Sequence, residues 1–208
     1  YGNVKGYTFS LTKRYDKVTR VSAFVDYTYQ VTEGNSLTSG SFYYNALSGE
    51  EEEKRIVPLS WDQRHIFNTN LSIGDPGNWN VGIISKLSSG WPYTPNIPDA
   101  NYVPQPNSGR KPWQWHLNMR IHKNFKIGKF NYILYAKVYN LMDRRNERYV
   151  FNDTGRAGYT YVFQSTQETQ GFKKHYGEPG VHSWSEYQVR PQYYTSPRSI
   201  NIGFSLDF

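Results

Sequence analysis

Residues 115–146 read WHLNMRIHKNFKIGKFNYILYAKVYNLMDRRN, and this stretch decides how the chain is read. From Leu117 the apolar residues take every second position, Leu117, Met119 and Ile121, with Asn118, Arg120 and His122 between them. A helix returns its apolar side chains every three or four residues; a period of two belongs to a strand with one apolar and one polar face. Lys126-Ile127-Gly128-Lys129 then predicts a short turn. Alternation resumes beyond it, with Tyr132, Leu134, Ala136 and Val138 on one side and Ile133, Tyr135, Lys137 and Tyr139 on the other. Two such runs around a tight turn predict an antiparallel hairpin. Its strands are each about ten residues long, the length that crosses a bilayer as a tilted β-strand.

Working outward, the hairpin pattern repeats. Residues 6–13 set Tyr7, Phe9 and Leu11 against Thr8, Ser10 and Thr12, and a polar turn over 14–17 follows. Residues 20–31 set Val21, Ala23, Val25, Tyr27 and Tyr29 against Ser22, Asp26, Thr28 and Gln30. A polar connection with the acidic run Glu50 to Glu53 leads to about Trp61. Residues 64–73 alternate Phe67, Thr69 and Leu71 with Asn68, Asn70 and Ser72, and Gly74-Asp75-Pro76-Gly77 is a turn. Residues 79–87 place Trp79, Val81, Ile83 and Leu87 opposite Asn80, Gly82 and Lys86. A proline-rich connection covers 88–114, and the longest connection, 142–198, follows the opening hairpin. Residues 199–208 close with Ile200, Ile202, Phe204, Leu206 and Phe208 between Asn201, Gly203, Ser205 and Asp207. About seven strands result, with short turns alternating strictly with long polar loops.

Composition narrows the class. Tyr (19), Phe (11) and Trp (6) carry much of the apolar load, which suits strands and the aromatic girdles of membrane barrels. Nothing approaches the run of roughly twenty apolar residues of a transmembrane helix. The absence of cysteine excludes disulfides, thiolate metal sites and cysteine nucleophiles. A net charge of +7 is compatible with nucleic acid, but the basic residues alternate with acids and no nucleic-acid motif is present. Anionic lipid or a charged solute fits better. The chain starts at Tyr1 without a signal peptide, which predicts a processed chain or a piece of a longer one.

Strict alternation of short and long connections is the asymmetry of an outer-membrane barrel. Jelly rolls and sandwiches have similar strands without that rule. Seven is an odd count, and an open seven-stranded sheet in lipid leaves two edges of unsatisfied backbone. The expectation is therefore an all-β, transmembrane antiparallel β-barrel, of which residues 1–208 form the C-terminal strands. The long loops are then extracellular, and the turns and the C-terminus periplasmic. On this reading Phe67, Leu71, Val81, Ile83, Leu117, Met119, Ile121, Leu134, Val138, Ile200, Ile202 and Phe204 face lipid. Asn68, Asn70, Lys86, Asn118, Arg120, Lys137 and Asn201 face the interior. Two other classes compete: a soluble all-β carbohydrate-binding module, and a receptor-like barrel serving as structural anchor of a surface complex.

Four stretches carry a family likeness: Lys5-Gly6-Tyr7-Thr8-Phe9-Ser10-Leu11, Pro58-Leu59-Ser60-Trp61-Asp62-Gln63-Arg64-His65, Ser89-Gly90-Trp91-Pro92-Tyr93-Thr94-Pro95 and Tyr139-Asn140-Leu141-Met142-Asp143. In this order they resemble the C-terminal barrel portion of TonB-dependent outer-membrane receptors, especially the large receptors of Bacteroidetes. The terminal Ile202-Gly203-Phe204-Ser205-Leu206-Asp207-Phe208 looks like the signal read by the barrel assembly machinery, with Phe204, Leu206 and Phe208 as its apolar positions. The resemblance implies a barrel of about 22 strands around a plug domain. It also implies import of a siderophore, cobalamin, oligosaccharide or peptide, driven by the TonB–ExbB–ExbD complex. A surface lipoprotein is a further partner it implies. Neither plug nor TonB box lies in these residues.

Candidate sites are few. Trp61-Asp62-Gln63-Arg64-His65 mixes an indole, a carboxylate and two bases, but a rim segment of a barrel needs the same types, and no enzymatic activity is expected. Trp61, Trp79 and Trp115 are expected in the interface girdle. Glu50 to Glu53 lack the spaced ligands of a calcium loop, and His175 and His182 with Glu178 and Glu186 read as surface residues, so no metal or cofactor is expected. The last connection holds many rings. They either extend the wall as strand over 158–163 or form a capture surface, with Tyr159, Tyr161, Trp184 and Tyr187 the stacking candidates. Lys54, Arg55, Arg110, Lys111, Arg144, Arg145 and Arg148 lie just beyond strand tops, placed to meet lipopolysaccharide phosphates or to form an ordinary charged rim.

Overall fold

A computed structural model describes residues 1–35, 43, 47–49, 55–96, 104–161 and 190–207. Seven long strands form it: β1 (Gly2–Asp16), β2 (Val21–Gly34), β4 (His65–Asp75), β5 (Trp79–Ser88), β8 (Gln114–Ile127), β9 (Phe130–Tyr139) and β10 (Ser199–Asp207). Short strands β3 (Val57–Pro58), β6 (Pro92–Tyr93) and β7 (Gly109–Arg110) lie in the connections. The long strands pair in chain order as an antiparallel meander, β3 adds to β2, and β6 pairs with β7 apart from the main sheet. The sheet is open: β1 pairs only with β2, and β10 only with β9, among the described residues. No helix among them is long and apolar enough to cross a membrane, which leaves crossing by strands untouched.

The register explains why the alternation was readable. Tyr27 stands opposite both Phe9 and Phe67, Phe67 opposite Leu87, and Leu87 opposite Trp115. Ile83 pairs with Met119, Met119 with Val138, and Val138 with Ile200. Opposed residues share a face, so one apolar surface runs unbroken across all seven long strands. The residues expected on the polar side share the other face, although Phe24 and Ile84 interrupt its polarity. The apolar face has no layer packed over it among the described residues and is most exposed at its edges. On the edge strands Phe9 is 67%, Leu11 72%, Ile202 75% and Phe204 76% exposed; of the buried apolar residues, Val138 lies on this face and Val57, Leu59, Val150 and Ala157 lie in the connections.

The first two strands are longer than the alternation alone predicts, at 15 and 14 residues. Gly2 to Lys5 have no regular pattern, yet Gly2 pairs with Gly34 and Lys5 with Val31, so the ladder extends them. Arg20, expected to open the second strand, instead closes the turn with φ 54°. The other turns are as short as expected, and Gly128, at φ 62°, takes the left-handed backbone that its hairpin needs.

Candidate functional site

The long connections form a bonded layer over one end of the sheet. Its first node is Asp62, which is fully buried. Its carboxylate accepts Thr32 N–H at 2.8 Å and Arg64 Nε at 3.3 Å, and it also pairs with the Arg110 guanidinium. Arg110 donates a further bond to the Asp62 carbonyl at 2.7 Å. Three segments far apart in the chain, around residues 32, 62–64 and 110, thus meet at one residue. Gln63 Nε2 reaches the Ser89 carbonyl at 2.9 Å, and Ser89 Oγ accepts His65 N–H at 3.0 Å. Gly90 is required by close approach, because a Cβ there would fall on the Lys111 carbonyl. Asn107, buried and left-handed at φ 55°, donates to the Pro58 carbonyl at 2.7 Å.

The second node is Asn146. Its side-chain amide accepts Trp115 N–H at 2.8 Å and donates to the Trp115 carbonyl at 2.9 Å, continuing the ladder above β8 as a strand residue would. The neighbouring Glu147 pairs with Arg156 at 2.8 Å and accepts the buried Ala157 N–H at 2.6 Å. The hydrogen bond from Arg156 to Glu147 and the Glu147 charge push the Arg156 guanidinium further up. Asn140 (φ 52°) and Asp143 (φ 50°) turn the chain out of β9; Asn140 reaches the Ser196 carbonyl at 3.0 Å and Asp143 accepts Arg198 N–H at 2.8 Å. Asn and Asp tolerate this backbone best after glycine.

Rings and cations decorate this layer. Tyr149 is half exposed, with Arg148 5.4 Å and Lys111 5.8 Å from its ring centre. Burial pulls the Lys111 ammonium down, and its Nζ donates to the Arg148 carbonyl at 3.1 Å. Burial raises the Tyr93 phenol, with Asp153 adding to it. Trp91 and Trp113 are also well exposed. Arg110, expected at the charged rim, is engaged by Asp62 and turned inward; a buried carboxylate outcompetes solvent for it.

Among the stacking candidates, Tyr159 and Tyr161 meet edge to face with ring centres 5.6 Å apart, and both are exposed. They do not extend the wall: residues 158–161 have no strand pairing, because Tyr161 N–H and Thr160 Oγ1 bond Asp153 and the Tyr159 carbonyl bonds Thr154. Trp184 and Tyr187 lie outside the described residues, as do Phe208, Lys54, Glu50 to Glu53 and the histidines at 175 and 182. Phe204 and Leu206 sit on the apolar face of β10. Trp115 opens β8 at the loop end, its Nε1 bonded to Ser85 Oγ at 2.9 Å; Trp61 is exposed in the turn before β4, and Trp79 starts β5 at the opposite end.

One group was missed. Tyr7, Tyr29, His65 and Trp113 form a ring chain on the apolar face near the loops, with centre distances of 5.4, 5.1 and 5.6 Å. Tyr27 joins it through a 3.0 Å bond to His65 Nδ1. Shared parity of Tyr7, Tyr27 and Tyr29 was the available signal; the reach of Trp113 to His65 was not in the sequence. Comparison with protein-family models, curated proteins and solved structures returns no match to this chain.

Proposed function

We propose that the chain forms the C-terminal part of an outer-membrane β-barrel that imports a large solute with TonB-coupled energy, its long connections outside and its short turns in the periplasm. The observation that carries this reading is the pairing of an uncovered apolar face with a polar one over all seven long strands. A water-soluble domain rarely exposes more than a few hundred Å² of contiguous apolar surface. Lipid makes that face favourable, and further strands pairing β1 and β10 satisfy the edges that a bilayer does not tolerate. The Tyr7–Tyr29–His65–Trp113 chain then lies at the outer interface, where amphipathic rings collect. The loop layer, held on a rigid wall, is the natural place for capture.

Single cysteines test the facing. In an intact outer membrane, a membrane-impermeant thiol reagent should spare Leu71→Cys, Ile121→Cys and Ile202→Cys and label Asn70→Cys, Asn118→Cys and Asn201→Cys. The reverse pattern would sink the reading, and a chain that stays monodisperse without detergent would favour the soluble module. Ile121→Arg should lower barrel stability by about 2–4 kcal/mol, against much less for Asn118→Arg.

A further inference from the structure

The polar face divides into two halves. On β1, β2, β4 and the start of β5 its groups satisfy one another. Thr8 and Thr28 bond at 3.0 Å, Ser10 and Asn68 reach Asp26 at 3.0 and 3.4 Å, and Asn80 reaches Ser72 at 2.6 Å. On the rest of β5, on β8 and on β9 the same face carries Lys86, His116, Arg120, His122 and Lys137. Lys86 stands directly opposite His116, and Arg120 directly opposite Lys137. Among the described residues none of Lys86, Arg120 and Lys137 has a carboxylate partner; Lys137 lies 5.4 Å from the Tyr135 ring centre. Asp26 on β2, a carboxylate at a polar-face position, is held by Ser10 and Asn68.

Like charges directly opposite on a sheet destabilise it. The Arg120–Lys137 pair, with Lys86 on the same face, is stabilised by something anionic lying against it. We propose that this strip binds a solute carrying two or more anionic groups, phosphate or carboxylate. The inference rests on the barrel reading, which makes this face the wall of a lumen. The spacing fits such a solute. Successive same-face positions on β8 lie about 6.6 Å apart, so His116 to Arg120 spans about 13 Å, flanked by Lys86 at one end and Lys137 at the other. Arg120 supplies a planar fork for a bidentate oxyanion, and the lysines supply point charges at either side. Low-dielectric walls would focus this field along the path of an entering ligand.

The test uses the full-length protein purified in detergent, with tripolyphosphate and citrate as probes and maltohexaose as neutral comparison. Saturable binding of either anion is expected, and the probe that binds identifies the oxyanion. Lys86→Gln/Arg120→Gln/Lys137→Gln should weaken it at least about tenfold, since each charge-assisted bond contributes that order. Arg120→Lys should weaken it less than the triple variant but measurably, since an ammonium keeps the charge without the bidentate fork. Lys17→Gln/Lys129→Gln, which removes charge only from the turns, should leave it unchanged. Full binding by the triple variant, equal binding of maltohexaose, or no anion binding by the parent protein would overturn the proposal. Insertion, read in the same samples by heat-modifiable migration, separates the two readings. An inserted protein that ignores anions overturns the anion strip alone. A protein that binds anions through these residues but never inserts overturns the barrel and leaves the strip standing.

Discussion

The two ends of the sheet are held by different kinds of bond. At the short-turn end the contacts lie within a turn or between adjacent turns: Asp16 takes the N–H groups of Val18 and Thr19, the Asp75 carbonyl takes Asn78 N–H, and Asn124 donates to the Asn78 and Gly77 carbonyls of the neighbouring turn. At the loop end the contacts join distant segments: Thr32 and Arg110 to Asp62, Asn107 to Pro58, Asn140 to Ser196. A local turn re-forms whenever its own few residues meet. A loop-layer bond needs segments far apart in the chain to be held in place together. Damage should therefore stay small at one end and spread at the other.

The sharpest test is Asp62→Ala. It strips Arg110, Arg64 and the Thr32 N–H of a fully buried carboxylate at once. Breaking a buried pair on one side costs about 3–5 kcal/mol, and the low end applies here because Arg110 keeps 29% of its side chain exposed. Thermal unfolding in detergent measures the loss, and limited proteolysis should open the connections around residues 60 and 110 together. If Asp62→Ala loosened only its own turn, the loop end would be as local as the other.

The glycines sharpen the contrast next. Gly90→Ala places a methyl group on the Lys111 carbonyl, so two connections must part, at about 2 kcal/mol or more. Gly128→Ala meets nothing within 4 Å and is strained only by its φ of 62°, which costs about 1 kcal/mol. Chemical denaturation of the two variants should rank them in that order. Equal losses would show that backbone conformation, not contact between connections, sets the cost at both ends.

The same contrast governs what the sequence discloses. Alternation is a local signal, so the long strands, their order and their two faces were legible: Leu117, Met119 and Ile121 identify their face without knowledge of a neighbour. Turn chemistry at Gly74 to Gly77 and at Gly128 was equally local. The nodes were not legible, because no feature of Asp62 names Arg110 as its partner, and Asn146 carries no mark that it will complete the ladder at Trp115. The short strands β3, β6 and β7 escaped for the same reason, each being a consequence of connections that meet. Tyr159 and Tyr161 were picked out by composition alone; of the alternative in which 158–163 extends the wall, the described part, 158–161, has no strand pairing, because Asp153 competes for that backbone.

The smallest effect belongs to Asp16, and it carries a pH signature. Its carboxylate lies past Lys13, beyond the apolar run of β1, and caps the turn with two backbone N–H bonds of 3.2 and 3.1 Å. The Val18 and Thr19 bonds hold its acid below the usual carboxylate value, Lys13 helping and desolvation opposing. A folded-state value depressed below the unfolded one means that the unfolded chain binds more protons in between. The stabilisation is thus fully present above the unfolded value, near pH 4, and fades as pH falls through the lower folded value. Asp16→Asn keeps a side-chain acceptor but cannot ionise. It should approach the parent as pH falls through the folded value and trail it slightly at pH 6, with the loop layer's resistance to protease unchanged at both. A variant that lost protease resistance in the connections would show that this turn supports the far end of the sheet, and the division between local and distant bonds would fail where it is most easily tested.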